Sequence, residues 1–395
     1  MGNTALQNNK KNKIAVIVFS ILALFLSIYI RTLNFAVESS DMYEFVIPWY
    51  NFIIGHGVFH SFAYDFYNYN PPYLYLLALT TLFRTIPKII AIKLLSTIFD
   101  VVAAYAVYRI VSFVKQDRNW GIFAFFTVLL TPVVFIESSH WGQCDIIYTA
   151  FLLFMLDSQL RKKYIRGLIF FSIAFVFKFQ AVFLAPILLY LLIKRRIPVS
   201  ALLYSLGIYL LSILPAWLAG RPFFDLVKIY ISQAGTYKLL SMNAPNIYYP
   251  WKNSSDFSQT TVWIGLAVAA MFTLGFLVVR LKKPFIEDNR IFLYDACLLS
   301  FFIPFLTPLM HERYFFPAAL FLVLITFLDK RMLYQALLLQ VSSVLSFFNF
   351  LYLIPADLTY PAFIINLLLA PILIFVYFKR LKELQFTRSD DLSLE

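Results

Sequence analysis

Residues 164–193 read YIRGLIFFSIAFVFKFQAVFLAPILLYLLI, an apolar run long enough for one long helix. Its flanks argue against that reading. Arg161, Lys162, Lys163 and Arg166 stand at one end and Lys194, Arg195 and Arg196 at the other, and lysine and arginine collect on the cytoplasmic side of a membrane. The chain must therefore go out and return. Each arm has about 15 residues, roughly 22 Å at 1.5 Å per residue, short of a hydrocarbon core about 30 Å thick. The tip, Lys178-Phe179-Gln180, is expected below the outer surface, where a lysine needs a water-filled cavity or an anion.

The same logic extends in both directions. Of 395 residues, 61% are hydrophobic and 14% charged, whereas a soluble domain carries about a quarter charged. The composition reads as an all-α polytopic membrane protein, since each helix satisfies its own backbone hydrogen bonds in lipid. The formal charge of +12 sits in short clusters between apolar runs, a topology signal and not a nucleic-acid footprint. Lys10, Lys11 and Lys13 place the N-terminus inside. Ile14 to Leu33 is too long for a signal-peptide core and is read as the first span. Keeping every basic cluster inside yields about 12 transmembrane helices with a large first external loop at 35–88. Within that loop Pro72 to Phe83 is too short to cross and is expected to dip into the outer leaflet, leaving Ile89 to Val114 as the second span.

This topology brings the unusual polar residues to one face. Asp41 and Glu44 in Glu38-Ser39-Ser40-Asp41-Met42-Tyr43-Glu44 follow the first span. His140, Gln143 and Asp145 lie in the next external turn, Lys178 and Gln180 at the hairpin tip, and His311, Glu312 and Arg313 after Pro308. A carboxylate can take a proton from an attacking hydroxyl, while lysine, arginine and histidine stabilise the charge growing on a departing phosphate. With only one or two acids converging, no metal or cofactor is expected. Cys144 and Cys297 have neither metal nor redox spacing, and His56 and His60, four apart, lack a third ligand for zinc.

The acidic stretch after the first span, Asn70-Pro71-Pro72-Tyr73-Leu74, Asp100, His140-Trp141-Gly142-Gln143-Cys144-Asp145, Lys178-Phe179-Gln180 before Ala185-Pro186, and Met310-His311-Glu312-Arg313-Tyr314 occur in the order seen in GT-C glycosyltransferases. The chain resembles most the mannosyltransferases related to the GPI-anchor second mannosyltransferase, and is also similar to the dolichyl-phosphate-glucose glucosyltransferases. The likeness runs from the first span to about Phe316. It implies a GT-C type fold, a polyprenyl-phosphate-sugar donor, an inverting displacement onto a glycan, glycolipid or other hydroxyl acceptor, and a catalytic acid at Asp41. It also implies that Lys178, His311 and Arg313 lie near the donor phosphate. Those glucosyltransferases carry Asp-Tyr-Pro-Pro where this chain has Tyr69-Asn70-Pro71-Pro72; that acid is missing here or its role passes to Asp65.

The expected organisation is a cytoplasmic tail at 1–13, a catalytic transmembrane module at 14–220, an external loop at 221–260, C-terminal helices at 261–380 and a cytoplasmic tail at 381–395. The polar N-terminal dozen and the tail after Gln385 are expected to lack order. The protein would sit among membrane lipids in the cell membrane, its site on the external face. Plainer readings stand beside these. Asp41 can end a span as an interfacial acid, Lys178 can snorkel to headgroups, His140 and Gln143 can shape a loop, Asp145 can cap a helix, and Asp100 reads as a structural acid paired within the membrane. A secondary transporter or lipid-linked glycan flippase is the rival, although such proteins place coupling acids near mid-membrane in paired repeats and no repeat is evident.

Overall fold

The computed structural model describes residues 2–233, 238–253, 256–283, 288–352 and 356–386. The tail beyond Phe386 lies outside them, as do Ser254 and Ser255 of Asn253-Ser254-Ser255, a formal glycosylation sequon that reads as chance. The described residues are predominantly helical, as a backbone in lipid must be when every polar group is satisfied within its own segment. Its elements are α1 (Gly2–Asn34), α2 (Ile47–His56), α3 (Pro71–Thr80), α4 (Lys88–Lys115), α5 (Arg118–Leu130), α6 (Pro132–Phe135), α7 (Asp145–Leu160), α8 (Tyr164–Phe177), α9 (Ala185–Ile193), α10 (Leu202–Leu218), α11 (Phe223–Gln233), α12 (Gln259–Lys282), α13 (Ile291–Leu306), α14 (Phe316–Leu328), α15 (Leu333–Tyr352) and α16 (Thr359–Phe386). Two strands of two residues, β1 (Ser241–Met242) and β2 (Met310–His311), pair in parallel. The N-terminal dozen, expected to lack order, continues α1 as helix from Gly2.

Six helices are long and apolar enough to cross a membrane, and a seventh span arises if α5 and the bent segment Pro132–Trp141 count as one. Several further apolar helices, among them α8 and α13, are shorter than a bilayer core. The protein is thus a multi-pass membrane protein by length and composition. Leu22, Phe25, Leu211, Leu274 and Phe375 are all more than 60% exposed, the inside-out pattern of a surface that faces acyl chains.

The hairpin inferred from residues 164–193 is present. Lys178 breaks the run in an extended conformation (φ −153°, ψ 132°), and a 3-10 turn, Phe179–Leu184, leads into α9. At the ends of the hairpin, the Asn289 side chain donates to Tyr164 Oη at 3.2 Å and Lys194 Nζ donates to Leu281 O at 3.0 Å. Lys178 at the tip pairs instead with Asp145, at the opposite end of α7. Both arms therefore run between the same two ends of the bundle. One end gathers Arg109, Arg161, Lys194 and Arg290; the other gathers Asp41, His140, Lys178 and Arg313. Segment α3 stays at the latter end, because Asn70 Nδ2 donates to Val176 O at 2.7 Å just before it.

Ion pairs fasten the interior. Arg31 donates to Asp100 Oδ2 through Nε (3.1 Å) and Nη2 (2.7 Å), and Ser138 Oγ donates to the same oxygen at 2.6 Å. A fully buried charge is tolerated in a span only with such partners. Lys93, equally buried, donates to the carbonyls of Asn34, Val37 and His140, tying α4 to the end of α1.

Candidate active site

Thr131 holds an extended conformation before Pro132, as residues before proline do, and the chain bends by 50° between α5 and the Pro132–Trp141 segment. The last six residues of that segment, Ile136–Trp141, form a widened π-helical turn. It closes at Gly142, whose φ of +83° suits glycine and whose amide, like that of Gln143, donates to Glu137 O at 3.0 Å. A β-carbon on Gly142 would meet Met42 Sδ at 2.6 Å. The Asp41-bearing turn thus rests directly on this one. Ser39 fixes the pair, donating through Oγ to Trp141 O at 2.7 Å and accepting from Met42 N at 3.3 Å.

Here Asp41 Oδ2 accepts three hydrogen bonds, from Gln143 Nε2 at 2.5 Å, Trp141 Nε1 at 3.1 Å and Arg313 Nη1 at 3.3 Å. Arg313 Nη1 also donates to Glu312 Oε1 at 3.2 Å, and its Nε stands 3.6 Å from Asp145 Oδ2. Asp145 is paired on its other oxygen with Lys178, and its amide donates to Glu137 Oε1 at 2.7 Å. Five sequence-separated elements therefore meet through one guanidinium and four carboxyl groups.

Asp41 opens onto a cavity of about 830 Å³ whose wall includes Glu44, Gln143, His311, Glu312 and Arg313. The apolar part comes from Phe45, Val46, Trp49, Phe350 and Leu351. The loop after α11 forms another side. Leu309 N donates to Leu240 O at 2.9 Å, and Asn246 Nδ2 donates to Thr307 O at 3.1 Å, holding Ser241–Asn243 beside His311. Burial, helped by the charges of Arg313 and Lys178, pushes the His311 imidazole well below its usual range, so it is neutral near pH 7. Burial also raises the Glu312 carboxyl to about 7 against the pull of Arg313. Arg313 is buried too, but Asp41 and Glu312 more than offset that and hold it charged.

Of the residues expected at the site, Asp41, Glu44, Gln143, His311, Glu312 and Arg313 line this one cavity. Lys178 and Asp145 stand behind its wall as a matched pair. His140 takes the loop-shaping part: Nδ1 meets Asn34 Oδ1 at 2.6 Å and Nε2 meets Tyr352 Oη at 2.8 Å. Gln180 is half-buried and outside the lining. Asp65 is 81% exposed, pairs with Arg221, and does not line the cavity either. The histidines His56 and His60 do not share a helix, since Gly57 (φ +85°) ends α2 between them. Among the described residues no group of three or more His, Cys, Asp or Glu is placed to hold a metal ion.

Sequence reasoning missed Trp141 as a donor to the acid, and the contributions of Asn68, Tyr69, Asn243 and Lys252 to the cavity wall. Trp141 sits between His140 and Gln143, whose polar side chains carry the signal of that stretch; the loop residues carry no local signal. No family model matches the chain, and no curated protein matches it.

Proposed function

We propose that the chain is an inverting glycosyltransferase of the GT-C kind, transferring a hexose, mannose or glucose, from polyprenyl phosphate to an acceptor hydroxyl. The supporting observation is a carboxylate with one oxygen loaded by a guanidinium, an amide and an indole, lining one cavity together with an imidazole. Among the described residues, every hydrogen bond to Asp41 goes to Oδ2, which leaves Oδ1 for the acceptor. In the proposed step the acceptor O–H gives its proton to Oδ1 and its oxygen bonds to the anomeric carbon. The bond from that carbon to the phosphate oxygen breaks, and its electron pair leaves with the polyprenyl phosphate.

Arg313 would meet the negative charge that appears on the phosphate, and neutral His311 would donate a hydrogen bond to it. Preorganised donors of this sort are each worth about 10²–10³ in rate. Lys178 would act through Asp145, fixing Arg313, instead of touching the phosphate. The apolar wall, with Phe350 and Leu351 from α15, offers a seat for the first isoprene units. Counting the shorter helices as passages gives about twelve spans, and the basic clusters at the far end would put the site on the non-cytoplasmic face of the cell membrane.

The test is purified protein in lipid nanodiscs with labelled polyprenyl-phosphate mannose and glucose, reading lipid-phosphate release and labelled acceptor. Asp41→Asn should lower turnover by about 10²–10⁴. Undiminished turnover in that variant would remove Asp41 from the reaction, and uphill solute movement in proteoliposomes without sugar transfer would favour the transporter.

A further inference from the structure

At the end of the bundle away from Asp41 lies a second hollow, of about 410 Å³, between the last turns of α4 and the first turn of α5. Behind its lining lies Asp157, whose side chain is 2% exposed and which holds three arginines at once, two of them, Arg109 and Arg161, in the lining. Arg109 donates to Oδ2 at 2.9 Å, Arg161 to Oδ1 at 2.7 Å and Arg166 to Oδ2 at 3.5 Å. One carboxylate cannot neutralise three guanidiniums, and Arg118 adds a fourth at the rim. Asp117, also at the rim, caps α5 through the Asn119 amide at 2.8 Å and keeps its negative charge, so four arginines still outnumber two carboxylates.

The walls are aromatic. Arg161 lies 4.3 Å from the Phe113 ring centre and Arg109 5.9 Å from that of Tyr105. Gly121 lets α5 close against Tyr108 and Ser112, where a β-carbon would come within 3 Å of both side chains. The Ser112 hydroxyl is buried without a hydrogen-bond partner among the described residues. Tyr105 and Trp120 are 47% and 41% exposed nearby, as aromatic residues at a headgroup boundary are. Excess guanidinium charge and an amphipathic rim together match a phosphate ester carried on an acyl chain.

We infer that this hollow binds the phosphate headgroup of an anionic phospholipid in the leaflet opposite the candidate active site. Arg109 and Arg161 are oriented by Asp157, so their remaining N–H groups are preorganised for phosphate oxygens. The rim arginine, Arg118, pairs with no carboxylate among the described residues and adds charge without bearing on the fold. This inference does not rest on the proposed transferase activity.

Native mass spectrometry of the purified full-length chain with dioctanoyl phosphatidylglycerol, dioctanoyl phosphatidylcholine or inorganic phosphate tests it. The anionic lipid should be retained over the choline lipid, Arg118→Gln should cut that preference about fivefold, and Arg118→Lys should restore most of it. The double variant Arg109→Gln/Arg161→Gln, which leaves Asp157 balanced by Arg166, should abolish the preference. Equal retention of both lipids, or indifference to Arg118→Gln, would overturn the site. Complete displacement of the lipid by equimolar inorganic phosphate would overturn its assignment to a lipid.

Discussion

Arg313 Nη1 lies 3.3 Å from Asp41 Oδ2, although the two residues are 272 positions apart in the chain. The same side chain reaches Glu312 and approaches Asp145, so one planar cation orders three carboxyl groups around the cavity. Lysine is a point charge on a flexible stem and cannot replicate that fork. Arg313→Lys is expected to lower the proposed sugar transfer by about 10²–10³ and to lower the melting temperature, checked by labelled-donor turnover and thermal unfolding in nanodiscs. Retained turnover would place the phosphate elsewhere.

Trp141 contributes one N–H to Asp41 and a ring packed between Phe347 and Phe350, at 5.2 and 5.1 Å between centres. Trp141→Phe keeps most of the ring and deletes the donor. A hydrogen bond to a charged group is worth about 1.5–3 kcal/mol. Turnover should therefore fall about tenfold or more, and stability by no more than that one bond is worth. Lower stability with turnover intact would make the tryptophan a packing residue alone.

The hairpin and the collection of polar residues at one end were legible because charge at the flanks of apolar runs is a long-range constraint written locally. The division of labour within the site was not. Lys178 and Asp145 read as separate candidates, and nothing local announces that they neutralise each other behind the wall. The kink after Thr131 was signalled by Pro132, but the π-helical turn that aims Trp141 at Asp41 depends on Gly142 packing against Met42. The pairing of β1 with β2 joins residues about seventy apart without a periodic pattern in either.

The Glu312 carboxyl titrates near pH 7 in the folded protein because it is buried, with Arg313 opposing the shift. The folded state thus keeps a proton that the unfolded chain loses from about pH 4.3 upward. Its contribution to stability is whole below that range and is lost as pH rises through about 7. Glu312→Gln should therefore lose less stability than the parent as pH rises from about 6 to about 8. Ionised Glu312 would also compete for Arg313, so the parent should show an alkaline fall in turnover that the variant lacks. Parallel pH profiles for the two proteins would refute this.

Arg31 and Asp100 are both fully enclosed, and the carboxylate has Ser138 as a further donor. Removing one partner leaves a buried charge uncompensated, at a cost of about 3–5 kcal/mol. Arg31→Met should accordingly lower the unfolding temperature sharply, while Arg31→Met/Asp100→Leu should recover much of the loss. Because Asp100 does not line the cavity, the double variant should turn over donor at close to the parent rate. A stable double variant without activity would give Asp100 a part in the chemistry.

Gly142 couples the backbone to the acid most tightly of all. Its φ of +83° alone makes a side chain costly by about 1–2 kcal/mol, and a β-carbon would press on Met42, which has no exposed surface to swing into. Met42 follows Asp41 directly, so relief of that clash moves the carboxylate away from Gln143 and Arg313. Gly142→Ala should cut turnover by about 10², the penalty of a displacement near 1 Å at a reacting group, with a smaller fractional loss of stability. Adding Met42→Ala removes the clash but not the backbone strain, so activity should return only in part. Full activity in Gly142→Ala would mean that the turn and the acid move independently.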